Sequence, residues 1–588
     1  MSEVLFSQVS YPLSALVSDI HLGKIGLPDI QRPFVWHNNK VRDLFDSMYR
    51  GFPVGYLLFW ENGAGGDRTI GSDAKQKAPS LLIVDGQQRL TSLYAVVRGV
   101  EVLRENYKRE RISVGFKPAT QEFAVSNAAV RRNPEYIPDI SVLWSDGLDA
   151  YSFVKNFLAN LANSRPISGV EEGQIAQGIN RLIALGTYSF SALELKATVD
   201  EEQVAEVFVR INSKGDPLDQ ADFILTLMSV FNDEGRAELE RFCRDSHQPA
   251  TNGASPFNYL IKPKPDQLLR PIVALGFRRA RLQFVYSILR GKDLETGQFS
   301  AERRDEQFAL FHEAQRYALD IQHWHEFLKA VNIAGFRSEA VITSQNALLY
   351  TYALFLIGKR DFAVHHATLR MMIARWFFMA SLTGRYTNSP ETRMEQDLAD
   401  LRGMGSEAGF VGLLNRTIDD ALTDDFWNIT LPNDLATSSP RSPSLFAYYA
   451  ALQLLDARVL FSKMKVSELL DPALKAKKSA LERHHLFPKA YLATLGITDD
   501  RDTNQIANYA LLEWADNIDI SKTSPALYYP QYTRHLPGGE REAMQHWHAL
   551  PEEWYEMEYP HFLTARRRLL ARVIRDGFAT LSTDGAFG

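Results

Sequence analysis

Apolar residues recur at helical spacing from Asn38 to Arg50, where Val41, Leu44, Phe45 and Met48 share one face. Gly51 and Pro53 end that helix, and Tyr56–Trp60 reads as a strand. Upstream, the chain is expected to open on a helical segment, with Pro28 and Pro33 bracketing an extended or turn piece. Leu81–Val84 is a short, fully apolar strand, Asp85-Gly86 a tight turn, and Gln87–Val97 a helix with Leu90, Leu93, Tyr94 and Val97 on one side. Short strands are expected at Ile112–Phe116 and Glu122–Val125 among helices that run to residue 200. Phe208–Ile211 reads as a strand, Asn212–Gly215 as a turn and Pro217 onward as a helix. Residues 236–440 carry helical periodicity with bundle-type apolar faces and many aromatic residues. The uncharged run Thr343–Gly358 is too short and too polar to span a membrane and reads as a buried helix. Thr437–Ser444 has the composition of a linker. Beyond it, two short strands are expected, one around His484-His485 and one at Tyr509–Trp514.

Composition narrows the class. The 588 residues allow two to four domains, and 45% hydrophobic with 23% charged residues is ordinary for a globular chain. The single cysteine, Cys243, excludes a disulfide framework and a cysteine-based zinc knuckle. The N-terminal stretch lacks the basic and apolar regions of a signal peptide, so a cytoplasmic protein without a membrane partner is expected. Net charge is −6, from 65 basic and 71 acidic residues, so any nucleic-acid contact must come from locally clustered bases. No repeat of 20–50 residues and no Walker A pattern is present.

Three places carry chemistry. The strand–turn–helix at Leu81–Val97 presents a helix N-terminus, where free N–H groups and the dipole favour an anion. Arg89 in the first helical turn opposes that dipole. Either an anion sits nearby, or Asp85 caps the helix and pairs with Arg89. Arg210, Asn212, Ser213 and Lys214 offer donors suited to phosphate oxygens, or form a plain solvated turn. The His484-His485 pair lies on an apolar run ahead of Asn508 and Asn517. A neutral imidazole accepts a proton near neutral pH, and a divalent cation offsets charge on a departing oxygen, so such a pair suits phosphodiester hydrolysis. A second pair, His365-His366, lies in a helical run without downstream asparagines and reads as helix surface or core. Near the end of the chain, Arg568, Arg572 and Arg575 share one helix face. Arg278, Arg279 and Arg281 read as a solvated face or a DNA channel.

The order strand, loop, strand, helix around LERHHLFPKAYL and NQIANYALLEWADNIDISKTSP resembles the ββα-metal, or HNH, nuclease motif. The DGQQR run, QRPFVW and VFVRINSKGDPLDQAD resemble the N-terminal domain of GmrSD-type modification-dependent restriction enzymes, and the C-terminal motif is similar to the nuclease domain of the same group. The resemblance implies an α+β multidomain fold. A ParB/sulfiredoxin-like α/β domain would occupy 1–235 and a helical connecting region 236–440. An HNH nuclease domain embedded in helices would occupy 441–588. It implies His485 as general base, His484 as catalytic neighbour and metal ligand, Asn508 as the residue that pins the loop, and Asn517 as second ligand. It also implies nucleoside triphosphate (GTP, ATP, CTP or UTP) held by Arg32, Asp85, Gly86, Gln87, Gln88, Arg89, Arg210, Asn212, Ser213 and Lys214. Lys522, Arg568 and Arg572 are expected to contact DNA. The metal is expected to be divalent, Mg2+ first, with Mn2+, Ni2+ or Zn2+ admitted by the imidazole at 484. Partners would be modified phage DNA, nucleotide, and a second copy or another defence protein. Two alternatives remain: a nucleotide-gated DNA-binding regulator with an inactive nuclease, and an RNA-cleaving abortive-infection effector.

Overall fold

The computed structural model describes the chain except residues 1–4, 27–33, 62–79, 105–107, 146, most of 197–231, 290, 292–299, 474–482, 514–519 and 583–588. The described chain is mixed α and β, mostly helical, and forms two compact units, Met1–Ala237 and Glu238–Gly588. Among the described residues no helix is long and apolar enough to cross a membrane.

The first unit is built on a five-stranded mixed sheet. Its strands are β1 (Phe6–Pro12), β2 (Ile25–Gly26), β3 (Leu57–Glu61), β4 (Leu81–Asp85) and β9 (Ser189–Leu195), in the spatial order β1-β9-β3-β4-β2. β1 is antiparallel to β9 and β3 to β4, while β3/β9 and β2/β4 are parallel. The central β3 is a continuous apolar run with Leu57, Leu58 and Phe59 buried, as expected for a strand covered on both faces. Two small ribbons, β5 (Glu101–Leu103) with β6 (Arg109–Arg111) and β7 (Val114–Lys117) with β8 (Glu122–Val125), are the other strands among the described residues of this unit.

Helix α1 (Leu13–His21) follows β1, and α2 (Asn38–Tyr49) buries Val41, Leu44, Phe45 and Met48, the face read from spacing. Helix α3 (Gln87–Arg98) buries Leu90, Leu93 and Val97 in the same core. Trp36 is partly buried against it and carries Lys40 Nζ 4.5 Å above its ring. The opening of the chain departs from expectation. The expected helical segment is α1, but a strand, Phe6–Pro12, precedes it and pairs along its whole length with β9, some 180 residues later, at the sheet edge. The strand, turn and helix expected over residues 208–222 fall almost entirely outside the described residues.

The second unit is a helical assembly around a small ribbon of β10 (Arg483–His485) and β11 (Tyr509–Leu511). Helix α4 (Gln345–Arg360) buries every residue from Ala347 to Gly358, so it is surrounded on all faces. Helix α5 (His366–Leu382) begins at the second histidine pair. His365 and His366 are exposed there, their ring centroids 4.3 Å apart. Thr437–Ser444 lies inside this unit, with the Thr437 carbonyl accepting from Ile506 N at 2.9 Å. Helix α6 (Pro443–Leu454) packs against the last helix, α7 (Tyr559–Ala579).

Candidate active site

The ribbon sets the first level of geometry. β10 and β11 run antiparallel with His484 opposite Ala510 and His485 opposite Tyr509. Successive strand residues alternate in direction, and the two imidazoles have different neighbours. The His485 ring meets Tyr509 edge-on at 5.0 Å between centroids. His484 is only 3% exposed, and its ring stands 6.2 Å from that of Tyr528 at 83°. The Tyr528 hydroxyl donates to the Leu486 carbonyl at 2.7 Å, anchoring the end of β10.

Asn508 closes the loop between the strands. Its side chain is fully buried and hydrogen-bonds on both sides. Oδ1 accepts from Phe487 N at 2.8 Å, and Nδ2 donates to the carbonyls of Phe487 and Thr503, each at 3.1 Å. The Asn508 carbonyl accepts from Leu486 N at 2.8 Å. The amide therefore extends the two-strand ladder by a reciprocal pair and leaves none of its own polar atoms stranded in the core. Phe487 at this turn packs against Tyr559 and Phe562 of α7, at 5.3 and 4.8 Å between centroids, and against Trp554 at 5.9 Å.

His485 is half-buried, and burial pushes its basicity below the ordinary histidine value; nearby Lys489 acts in the same direction, while Asn504 and Asp500 oppose it. The ring is thus biased to the neutral form that can take up a proton. Its Nε2 lies 3.0 Å from Asn504 Oδ1. Neither Asn504 nor its partner Asp500, which Lys489 pairs with in turn, was singled out from the sequence. The available signal was an acid and an amide four residues apart, Asp500 and Asn504, just before the second strand.

Of the metal ligands implied by resemblance, His484 is described and Asn517 lies outside the described residues. Among the described residues no three His, Cys, Asp or Glu side chains converge as a metal cage. What the described chain offers there is a buried imidazole, a donor compatible with several divalent ions. Lys522, Arg568 and Arg572 are exposed, the two arginines one helical turn apart on α7. Arg566 on the same helix behaves differently. It is fully buried and donates to the carbonyls of His548 and Ala507. Arg278 pairs with Asp361 and Arg279 with Glu395, so these two arginines are committed to acidic partners.

In the first unit, Gly86 sits between β4 and α3 with φ +96°, a conformation that a side chain strains. Arg89 turns back across this corner. Its guanidinium donates to the Val54 carbonyl at 2.8 Å and to Asp85 Oδ2 at 3.3 Å. Asp85 thus pairs with Arg89 but does not cap the helix, whose N-cap is Gly86 without a side-chain cap bond, and burial lowers the basicity of this guanidinium. Gln88 Oε1 accepts from Val35 N at 3.1 Å, tying the corner to the segment after Pro33, and Gln87 is half-buried beside it. Arg32, Arg210, Asn212, Ser213 and Lys214 lie outside the described residues.

Similarity extends over both units. An uncharacterized protein of Methanocaldococcus jannaschii is 21% identical over 534 residues, covering 87% of this chain and 85% of that protein. Residues 13–229 match the family model described as the GmrSD restriction endonuclease, N-terminal domain.

Proposed function

We propose that the chain is a nucleotide-regulated, metal-dependent DNA endonuclease of anti-phage defence that restricts modified foreign DNA in the cytoplasm. The observation that carries the reading is the ribbon end at which Asn508 locks the loop and His485 is held half-buried and biased to its neutral form. The family match over residues 13–229 supports restriction as the setting.

In this reading His485 accepts a proton from the water that attacks phosphorus. His484 and Asn517 would hold a divalent ion, which would supply positive charge to stabilise the departing oxygen. Lys522, Arg568 and Arg572 take phosphates of the DNA and fix its register without reading sequence. The first unit binds and hydrolyses a nucleoside triphosphate at the β4–α3 corner, Asp85 to Arg89, together with Arg32 and the segment Arg210–Lys214. The Asp85–Arg89 pair keeps the guanidinium at the mouth of the helix terminus, where a phosphate oxygen can compete for it.

The test is a nicking assay with supercoiled plasmid and with modified and unmodified phage DNA, in Mg2+, Mn2+ or Ni2+ and with each nucleoside triphosphate in turn. Metal-dependent cutting that changes with nucleotide supports the reading. Cutting of labelled RNA and not DNA would move the substrate class, and cutting of neither under any metal would reject the nuclease.

A further inference from the structure

His485 is the start of a polar chain that continues away from the ribbon. Its Nε2 lies 3.0 Å from Asn504 Oδ1. Asn504 Nδ2 donates to Asp500 Oδ1 at 3.3 Å, and the same oxygen accepts from Lys489 Nζ at 2.7 Å. The Lys489 ammonium holds the Asp500 carboxyl below the usual carboxylate range, so it is ionised at neutral pH.

An ionised carboxylate only accepts hydrogen bonds, and an asparagine amide donates only through its nitrogen. Turning the Asn504 amide over would set its oxygen against the Asp500 carboxylate and its NH2 against the ring. The carboxylate therefore fixes which way the amide faces. With Oδ1 facing the imidazole, Nε2 must carry the hydrogen, because two acceptors do not bond. The other ring nitrogen, Nδ1, is then the one with a free lone pair. Tyr509, across the ribbon from His485, meets the ring edge-on.

We propose that Asn504 is a positioning residue that fixes His485 as the Nε2–H tautomer, so that Nδ1 is the nitrogen that accepts the proton in hydrolysis. Asp500 and Lys489 act one step further out by fixing the amide. The inference rests on the reading of His485 as general base. It adds the atom that does the work and the three residues that select it. A partner of this kind, which orients a histidine through its second nitrogen, typically changes activity about 10–100-fold when removed.

The tautomer can be measured directly. The full chain is labelled with 15N-histidine, and long-range 15N–1H correlations are recorded at a pH where the ring is neutral, with His485 assigned by its loss in His485→Ala. The parent is expected to show a protonated Nε2 and an unprotonated Nδ1. Asn504→Leu should average the two tautomers and slow nicking about 10–100-fold, without a matching loss of melting temperature. Asp500→Asn, at an exposed position, frees the amide to turn and should give a smaller change in the same direction; it serves if Asn504→Leu does not fold. A protonated Nδ1 in the parent, an unchanged tautomer in both variants, or a changed tautomer with parental cutting would each overturn the inference. If the parent cuts neither DNA nor RNA but keeps Nε2–H through Asn504, the nuclease reading fails and the tautomer assignment stands.

Discussion

Arg566 donates through its guanidinium to the Ala507 carbonyl at 2.8 Å, tying the final helix to the residue just before Asn508. Two further donations, at 3.1 and 3.0 Å, go to the His548 carbonyl. The side chain is fully buried, and desolvation lowers its basicity. The loop that presents His485 is thus braced by a cation from a helix whose other arginines, Arg568 and Arg572, are exposed. Replacing Arg566 by Met leaves the two carbonyls without these donors. The expected cost is about 2–4 kcal/mol, since hydrogen bonds to charged groups contribute roughly 1.5–3 kcal/mol each and are partly offset by relief of desolvation. A urea unfolding midpoint within error of the parent would count against the brace.

Gly86 is predicted to be irreplaceable at the β4–α3 corner. A Cβ there lies 2.5 Å from Leu57 Cδ2, and φ is +96°. Gly86→Ala combines a left-handed backbone with a core clash, at an expected cost of about 2–4 kcal/mol. It also moves the Asp85–Arg89 pair, so triphosphate binding should weaken with it. Parental melting together with parental nucleotide affinity would contradict both statements.

His548 gives an acid-sensitive step in stability. Its Nε2 lies 3.0 Å from the Arg458 carbonyl, and burial, reinforced by Arg566, pushes its pKa from 6.5 down to about 4. The unfolded chain binds the extra proton throughout that interval. The folded state therefore keeps this contribution above pH 6.5 and loses it as pH falls toward 4. The shift corresponds to about 3 kcal/mol. His548→Gln can still donate to Arg458 but does not titrate, so its unfolding midpoint should fall less between pH 7 and 4.5 than that of the parent. Parallel pH dependence in the two proteins would remove His548 as the cause.

His485→Ala is expected to abolish nucleic-acid cleavage and to leave triphosphate hydrolysis at the parental rate, because the two chemistries are assigned to different units. The loss should exceed about 100-fold, the low end for a general base. Cutting at the parental rate by a folded His485→Ala protein would refute the choice of base.

Local patterns account for much of the secondary structure. Val41, Leu44, Phe45 and Met48 marked α2, the apolar run Leu81–Val84 marked β4, and the uncharged stretch Thr343–Gly358 marked the buried α4. These are signals of spacing and of turn chemistry, and they need only neighbours within a few residues. The expected opening helix appears as Leu13–His21, but the strand Phe6–Pro12 ahead of it was not read, since its state is decided by β9 far along the chain.

What the sequence by itself determined is the set of short-range elements and the residue types available at two corners, the histidine pair with its asparagine and the Asp85–Arg89 turn. Only the tertiary structure decided which polar atoms meet. Arg566 and Arg568 look alike in the chain, yet one is sealed against carbonyls 18 and 59 residues away and the other faces solvent. Asn504 reaches His485 across 19 residues. Such pairings depend on long-range packing and on the need to satisfy every buried donor and acceptor, which no local periodicity encodes.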